Sequence, residues 1–224
     1  MAPFAGPLQL ASILGLPWFL RGARQTQGTP APSAVRRRDR RGGAQSDLHN
    51  FHEAAWVGRL VAKSRPSMHA DIGSRVTVVG VLSGFMPVIY VTRRPLHAHV
   101  AGMLLVTGDL TQVPLPDKSV VSLSSLCAVG LDGDAVGAVK ALGELQRVLG
   151  YRGSLYLSVP VGRERTGPDG QRIFAPETVL AAVRFLRLRR FNYVDDGGEF
   201  HADAQLEEAV KLDCGRGLFE FERG

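Results

Sequence analysis

Small and polar residues follow apolar runs of the sequence, at the points where those runs end. Asp71 and Gly73 follow the first run, Asp109 follows the third, and Ser124 and Ser125 end the fourth. A glycine lets a ligand approach the backbone, and a carboxylate accepts a hydrogen bond from an amino group. In an open α/β sheet, ligands bind outside the carboxyl ends of the strands. We therefore expect a ligand site at these residues if the runs are neighbouring parallel strands.

The apolar runs alternate with helical patterns along the chain. Strands are predicted at residues 68–73, 87–92, 103–109, 119–129, 154–162, 187–196 and 217–223. Helices are predicted at 47–62 with Asp47 as N-cap, at 134–150 with Val136 and Val139 on the apolar stripe, and at 175–186. Residues 75–85 fit a strand or a helix, because β-branched residues favour strands. The alternation predicts an α/β fold with a doubly wound, mostly parallel sheet.

The positive charge of the chain is confined to its first 45 residues. The whole sequence has a net charge of +6, and residues 1–45 hold seven arginines and one acid. Residues 46–224 hold 20 basic and 20 acidic side chains and are neutral overall. A domain that binds nucleic acid usually carries net positive charge. The neutral composition of residues 46–224 therefore gives no clear indication of a nucleic-acid partner.

The segment before the predicted domain is apolar at first and then rich in arginine. Residues 3–20 carry no charge, and Pro7, Gly15 and Pro17 interrupt them. Three interpretations stay open: a leader or transit-like segment, a membrane-associated segment, or an unstructured extension. The positive charge follows the apolar run, whereas secretory signals usually carry it before, so a cytoplasmic or organellar compartment is favoured over secretion. We divide the chain into an extension at 1–45 and one α/β domain at 46–224.

Two sequence blocks in the second half have a recognisable order. They are GDLTQVPLPDKSVVSLSSL at 108–126 and LGELQRVLGYRGSLYLSVPVG at 142–162. Together they resemble class I S-adenosylmethionine-dependent methyltransferases, which have a Rossmann-like fold. With DIGSR at 71–75, RRPL at 93–96, RIFAPETVL at 172–180 and CGRGLFEFER at 214–223, the pattern resembles the family called domain of unknown function 268. The resemblance covers about two-thirds of the chain.

The resemblance implies a cofactor, S-adenosylmethionine, and a reaction, methyl transfer to an unknown small-molecule or glycan-type acceptor. It places Asp71 and Gly73 beside the methionine part of the cofactor, Asp109 opposite the adenine with Leu110 next to it, and Ser124 and Ser125 towards the transferred methyl group. Glu144 and Arg147 match the helix pattern of the family and are expected to be structural. No catalytic residue is assigned, because in-line displacement at a sulfonium needs positioning more than acid–base groups.

The sequence departs from the methyltransferase pattern at three places. Only Gly73 occurs in the first loop, where such enzymes have further glycines. The second strand ends at Thr92 and Arg93, where an acid usually holds the ribose hydroxyls; losing that contact costs on the order of 2 kcal/mol. The segment 128–134 is short for the family. The alternative function is therefore a degenerate, non-catalytic binding or scaffold module.

Other chemistry receives little support from the sequence. The six histidines have no cysteine or acid cluster at ligand spacing, so no metal site is predicted. The Asp195-Asp196 pair with Glu199 is read as a solvated turn, and no base is apparent beside Cys127. A nicotinamide-binding fold requires a complete G-x-G-x-x-G after the first strand, which the chain lacks.

Overall fold

The computed structural model of the protein describes residues 40–96, 98–131 and 133–224. The predictions for residues 3–20 and for the rest of the chain before Arg40 lie outside the described residues. Within the described ranges, the structure contains no helix that combines the length and the hydropathy needed to cross a membrane.

The described residues form ten strands, eight of which belong to one sheet. They are β1 (His69–Ile72), β2 (Val88–Thr92), β3 (Met103–Thr107), β4 (Val120–Leu126), β5 (Leu149–Val161), β6 (Arg165–Thr166), β7 (Arg172–Ile173), β8 (Arg187–Val194), β9 (Phe200–His201) and β10 (Gly215–Glu222). The sheet order is β3-β2-β1-β4-β5-β10-β8-β9, and β6 and β7 form a separate ribbon.

The sheet is doubly wound and mostly parallel, as the sequence predicts. Strands β1 to β5 pair in parallel, and β10 runs antiparallel to both β5 and β8. The strand order reverses at β1, which lies between β2 and β4. This reversal is the switch point at which open α/β sheets bind ligands.

Five helices are present among the described residues: α1 (Arg40–Ser64), α2 (Val76–Ser83), α3 (Ala135–Val148), α4 (Pro176–Ala182) and α5 (Leu206–Ala209). Helices α1 and α2 share one apolar core cluster with Val88 and Tyr90 of β2. Helices α3 and α4 share the other cluster with Ile89 and Val91. Successive residues of a strand face opposite sides of its sheet, so the two helix pairs cover opposite faces.

Three local predictions need comment. The ambiguous residues 75–85 contain helix α2, since a parallel strand pair requires a crossover connection between β1 and β2. Asp47 was predicted as an N-cap, which is wrong, because α1 begins at Arg40. Val136 and Val139 were predicted on the buried stripe of α3, yet they are 77% and 49% exposed.

Helix α3 buries a different stripe from the predicted one. Its buried residues are Ala138, Ala141, Leu142, Leu145 and Val148. Spacings of three and four place these side chains on one face of the helix. Ala138 and Ala141 on that face let the first half of α3 lie close to the sheet, and Val136 and Val139 lie on the exposed side of the helix.

The loop that joins β3 to β4 is held by α3. Arg147 donates to the carbonyl oxygens of Val113 and Leu115, each at 2.9 Å, and Glu144 Oε2 accepts from the backbone N–H of Val113 at 2.8 Å. Arg147 also donates to Glu144 at 2.7 Å. Both residues are structural, as expected, and they explain why the 108–126 block and the helix block occur together in the sequence.

Candidate functional site

The carboxyl ends of β1, β2 and β3 meet at one edge of the sheet. The N–H of Gly73 donates to the carbonyl oxygen of Val91 at 2.9 Å, and the N–H of Gly108 donates to that of Thr92 at 3.0 Å. Leu110 reaches across, since a Cβ built on Gly73 would lie 3.7 Å from its Cδ1. The residues predicted to hold a ligand after β1 and β3 therefore lie side by side.

A cleft of about 300 Å³ opens at this edge. It lies between the β3 end of the sheet, the segment after β4 and the first half of α3. Small-molecule sites are roughly 300–1,000 Å³, so the cleft is at the lower end of that range. Its lining includes Arg93, Asp109, Leu110, Thr111, Ala128, Gly130, Leu131, Asp134, Gly137, Ala138 and Ala141.

Asp109 lies in the cleft with both carboxylate oxygens engaged. Oδ1 accepts from the backbone N–H of Thr111 at 2.8 Å and from its hydroxyl at 2.6 Å. Oδ2 forms an ion pair with Nε of Arg93 at 2.8 Å. The hydrogen bonds from Thr111, with Arg93 adding to them, lower the pKa of Asp109, so this carboxylate is ionised at neutral pH. A carboxylate has about four acceptor positions, which leaves one for a ligand N–H.

The end of β2 carries a hydroxyl and a guanidinium instead of a carboxylate. Thr92 is half-buried, and its Oγ1 lies 3.3 Å from both the backbone nitrogen and the backbone oxygen of Arg94. Arg93 turns towards Asp109. The acid that a ribose would need at this strand end is missing in the structure as it is in the sequence.

Gly73 adopts a left-handed conformation at the end of β1, with φ of +77°. A Cβ at this position would lie 2.8 Å from Cβ of Ala128, which is too close. Ala128 and Leu110 therefore lie on the side of Gly73 from which a Cβ would project, while the glycine itself, where the methionine part of a cofactor was predicted, is exposed. The cleft is open beside Asp109, and Gly73 is not among the residues that line it.

Asp71 lies beneath this edge, fully buried on the α1 side of the sheet. Its carboxylate accepts from the backbone N–H of Ser74 at 3.1 Å, from the Ser74 hydroxyl at 2.7 Å, and from the Ser124 hydroxyl. Burial is the main cause that raises the pKa of Asp71 to about 6. The side chain fixes the loop that follows β1.

The serines of β4 belong to the same buried network. His69 bridges Ser122 and Ser124 at 2.8 Å each, and burial lowers the pKa of His69 to about 4. The Ser125 hydroxyl donates to the carbonyl oxygen of Ile72 at 2.8 Å. Ser124 and Ser125 have no exposed surface. Both hydroxyls make their hydrogen bonds inside the protein, and Ser125 lies on the opposite face from Ser124.

The seven predicted site residues thus fall into three groups. Asp109 and Leu110 line the cleft, Gly73 and Thr92 lie next to it, and Asp71, Ser124 and Ser125 lie below the strand ends. Sequence reasoning missed the contribution of α3. The run of small residues after Asp134 could have indicated this contribution. The Asp134 side chain caps α3 by accepting from the N–H groups of Val136 and Gly137.

One side-chain cluster and one surface depression away from the cleft are explained by local structure. Ligand atoms of Asp195, Glu199 and His201 lie within 4.8 Å of one another. Asp195 accepts from the backbone N–H groups of Gly197 and Glu199 and contacts the His201 ring, which indicates a turn-stabilising role. A larger surface depression of about 630 Å³ lies along loop 112–117, away from the strand ends. It is also lined by Glu144 and Arg147, the side-chain partners of this loop.

Solved structures with the same architecture are class I methyltransferases and relatives. The chain has the class I methyltransferase fold. It matches a Burkholderia thailandensis 1,6-didemethyltoxoflavin-N1-methyltransferase with bound S-adenosylhomocysteine at a TM-score of 0.54 and 14% identity, covering 87% of this chain and 93% of that one. It matches the N-methyltransferase NodS of Bradyrhizobium japonicum at a TM-score of 0.56 and 13% identity, covering 78% and 96%.

The fold also includes proteins with other chemistry. The [4+2]-cyclase SpnF matches at a TM-score of 0.54 and 15% identity, covering 96% of this chain and 92% of that one. No protein-family model and no curated protein matches the sequence. At these identities the likeness concerns the fold, and function must be argued from the site.

Proposed function

We propose that the protein binds S-adenosylmethionine and transfers its methyl group to an acceptor. The observation that carries this proposal is the cleft at the switch point, with Asp109 and Leu110 on one wall and the small residues of α3 on the other. In this proposal the protein is a member of the narrower family called domain of unknown function 268, and its acceptor is a small molecule or a glycan. Both points rest on sequence resemblance.

The residues of the cleft suit the adenosine half of the cofactor. The remaining acceptor position of Asp109 would take a hydrogen bond from the adenine amino group. Leu110 and Ala141 offer apolar contact to the base. The hydrogen bonds from Thr111 and the ion pair with Arg93 keep Asp109 ionised and oriented. S-adenosylmethionine supplies an electrophilic methyl group, and the protein would contribute binding, orientation and exclusion of water.

Isothermal titration calorimetry of the full chain with S-adenosylhomocysteine tests the binding step. We expect saturable binding that falls about tenfold or more in Asp109→Ala, since hydrogen bonds to charged groups contribute about 1.5–3 kcal/mol. Asp169→Ala is a matched control. Asp169 is an exposed aspartate that, like the half-buried Asp109, accepts from the N–H two residues later, and it lies outside the cleft.

Absence of binding at millimolar S-adenosylhomocysteine would contradict the proposal, as would equal losses in the two variants. Transfer is tested separately, by following release of S-adenosylhomocysteine from S-adenosylmethionine in the presence of pooled small-molecule and glycan acceptors.

The second candidate function is a non-catalytic module on the same fold. It is favoured by Ala128, which lies against one side of Gly73, and by the missing carboxylate at Thr92. Binding without turnover, or no binding of either cofactor form, would support this function over the enzymatic one.

A further inference from the structure

Cys127 directly follows β4 at the carboxyl edge of the sheet. Its backbone N–H donates to the carbonyl oxygen of Ser158 at 2.9 Å, and its φ of +55° is left-handed, which is uncommon for a residue with a Cβ. The residue is half-buried. Its position is therefore fixed by the backbone, while part of its surface can still be reached by a small molecule.

Two N–H donors point at the sulfur of Cys127. Arg216, the second residue of β10, donates from Nη1 to Sγ, and Gln171, in the turn before β7, donates from Nε2 at 3.3 Å. The sulfur of a thiol accepts hydrogen bonds only weakly, whereas an ionised acceptor beside a guanidinium forms a strong charge-assisted bond. This arrangement favours the thiolate, which is the nucleophilic form of cysteine.

Arg216 is a buried guanidinium with few partners. Its side chain is 9% exposed, and its Nε is buried without a hydrogen-bond partner. Glu53 lies 4.0 Å from that Nε, but it is bound more closely by Arg75 at 2.6 Å and by the Ser158 hydroxyl. Among the described residues, Cys127 is the only hydrogen-bond acceptor of the Arg216 guanidinium. A buried cation needs a compensating negative group, and a Cys127 thiolate supplies it.

We propose that Cys127 is a modification site, at which the thiolate held by Arg216 is oxidised by a hydroperoxide. The sulfur attacks the terminal oxygen of the peroxide, an S–O bond forms, and the O–O bond breaks. The leaving hydroxide or alkoxide takes a proton from solvent. The sulfur is thereby oxidised to a sulfenic acid, and the peroxide is reduced to water or an alcohol. The site is separate from the proposed cofactor contacts, since Cys127 does not line the cleft.

Alkylation of the full chain with iodoacetamide, followed at each cysteine by mass spectrometry, tests the thiolate. The sequence has two cysteines, and Cys214 is exposed whereas Cys127 is half-buried. If access alone set the rate, Cys214 would react faster. We expect Cys127 to react at least about tenfold faster at neutral pH, and the two to react equally in urea. After limiting hydrogen peroxide, dimedone should label Cys127 and leave Cys214 unlabelled.

Arg216→Met separates the chemistry of the site from access to it. Removing the guanidinium uncovers the sulfur, so a thiol that is merely packed would be alkylated faster. We expect alkylation of Cys127 to slow by about tenfold instead. Arg223→Met is the matched control, because Nε of Arg223 is also buried without a partner and the residue lies just beyond the other end of β10. Its rate at Cys127 should equal that of the wild type.

Thermal unfolding checks that each variant is folded. If Arg216→Met does not fold, Gln171→Leu gives the same comparison at a half-buried turn position, with alkylation of Cys127 slower by about threefold. A rate at Cys214 equal to or above that at Cys127 would overturn the proposal. So would an unchanged or higher rate at Cys127 in Arg216→Met, an equal loss in Arg223→Met, or the absence of a dimedone adduct on Cys127.

Discussion

Replacing Gly73 with alanine tests whether this glycine is needed for the stability of the fold or for ligand binding. Its φ of +77° is left-handed, which costs roughly 1–2 kcal/mol for a residue with a Cβ. The new Cβ would also lie 2.8 Å from that of Ala128, and overpacking typically costs about 1–3 kcal/mol. We expect Gly73→Ala to lower the free energy of unfolding by about 2–5 kcal/mol.

The partner variant separates the two costs. Ala128→Gly removes the contact and by itself should cost no more than about 1 kcal/mol. In the double variant only the backbone cost of Gly73→Ala should persist, so the cycle should show a coupling of about 1–3 kcal/mol. Urea unfolding followed by circular dichroism gives the four free energies. Additivity within about 0.5 kcal/mol would show that Ala128 does not limit the space above Gly73.

The same variants report on the ligand. If the methionine part of the cofactor reaches Gly73, Ala128→Gly widens its path, and S-adenosylhomocysteine should bind more tightly than to the wild type in calorimetry. Adenosine, which lacks the methionine part, should bind both proteins equally. An equal gain for both ligands would refute the reasoning, because the effect would then come from the cleft as a whole.

Three further changes test other contacts. Between pH 4 and 6, the free energy of unfolding of Asp71→Asn should increase by about 2–3 kcal/mol more than that of the wild type in urea titrations. The raised pKa of Asp71 contributes stability that is lost as pH rises, whereas the lowered pKa of His69 has the opposite effect. Parallel curves of the two proteins against pH would contradict this. Arg147→Met should lower Tm by about 4–8 °C through loss of its bonds to loop 113–117, and an unchanged Tm would count against the clamp. Thr92→Asp should tighten S-adenosylhomocysteine binding about tenfold or more in calorimetry if Thr92 lies at the ribose; unchanged or weaker binding would place the ribose elsewhere.

Seven of the eight strands of the sheet could be predicted from the sequence, because most of them are short apolar runs that end at small or polar residues. The short strand β9 (Phe200–His201) was not predicted. Helix α2 was ambiguous because its sequence is rich in valine, which suits strands, and only the need for a crossover decides it. The buried face of α3 was misjudged because alanines pack against the sheet where larger valines were expected. Size alone does not tell which apolar side chains face inward.

The site was harder to predict than the fold, because spacing along the chain does not show how deeply each side chain is buried. Asp71 pairs in register with Ser124 across β1 and β4, and this register buries both side chains on one face. Asp109 follows its strand by two residues and reaches the surface. The partners of each carboxylate depend on strand pairing and on the direction in which Arg93 points, and the order of motifs along the chain shows neither.

The polar residues at the carboxyl edge divide by the face of the sheet to which they point. Asp71 and Ser124 face α1 and hold the loop after β1, while the cleft opens towards the first half of α3. A ligand in that cleft would contact Asp109 and Leu110 without touching the buried network. The network therefore explains why the loop of Gly73 is fixed, and the cleft explains where adenosine could bind. Because these two functions use different residues, loss of a catalytic role need not disturb the fold, which is how a methyltransferase fold can persist with or without methyl transfer.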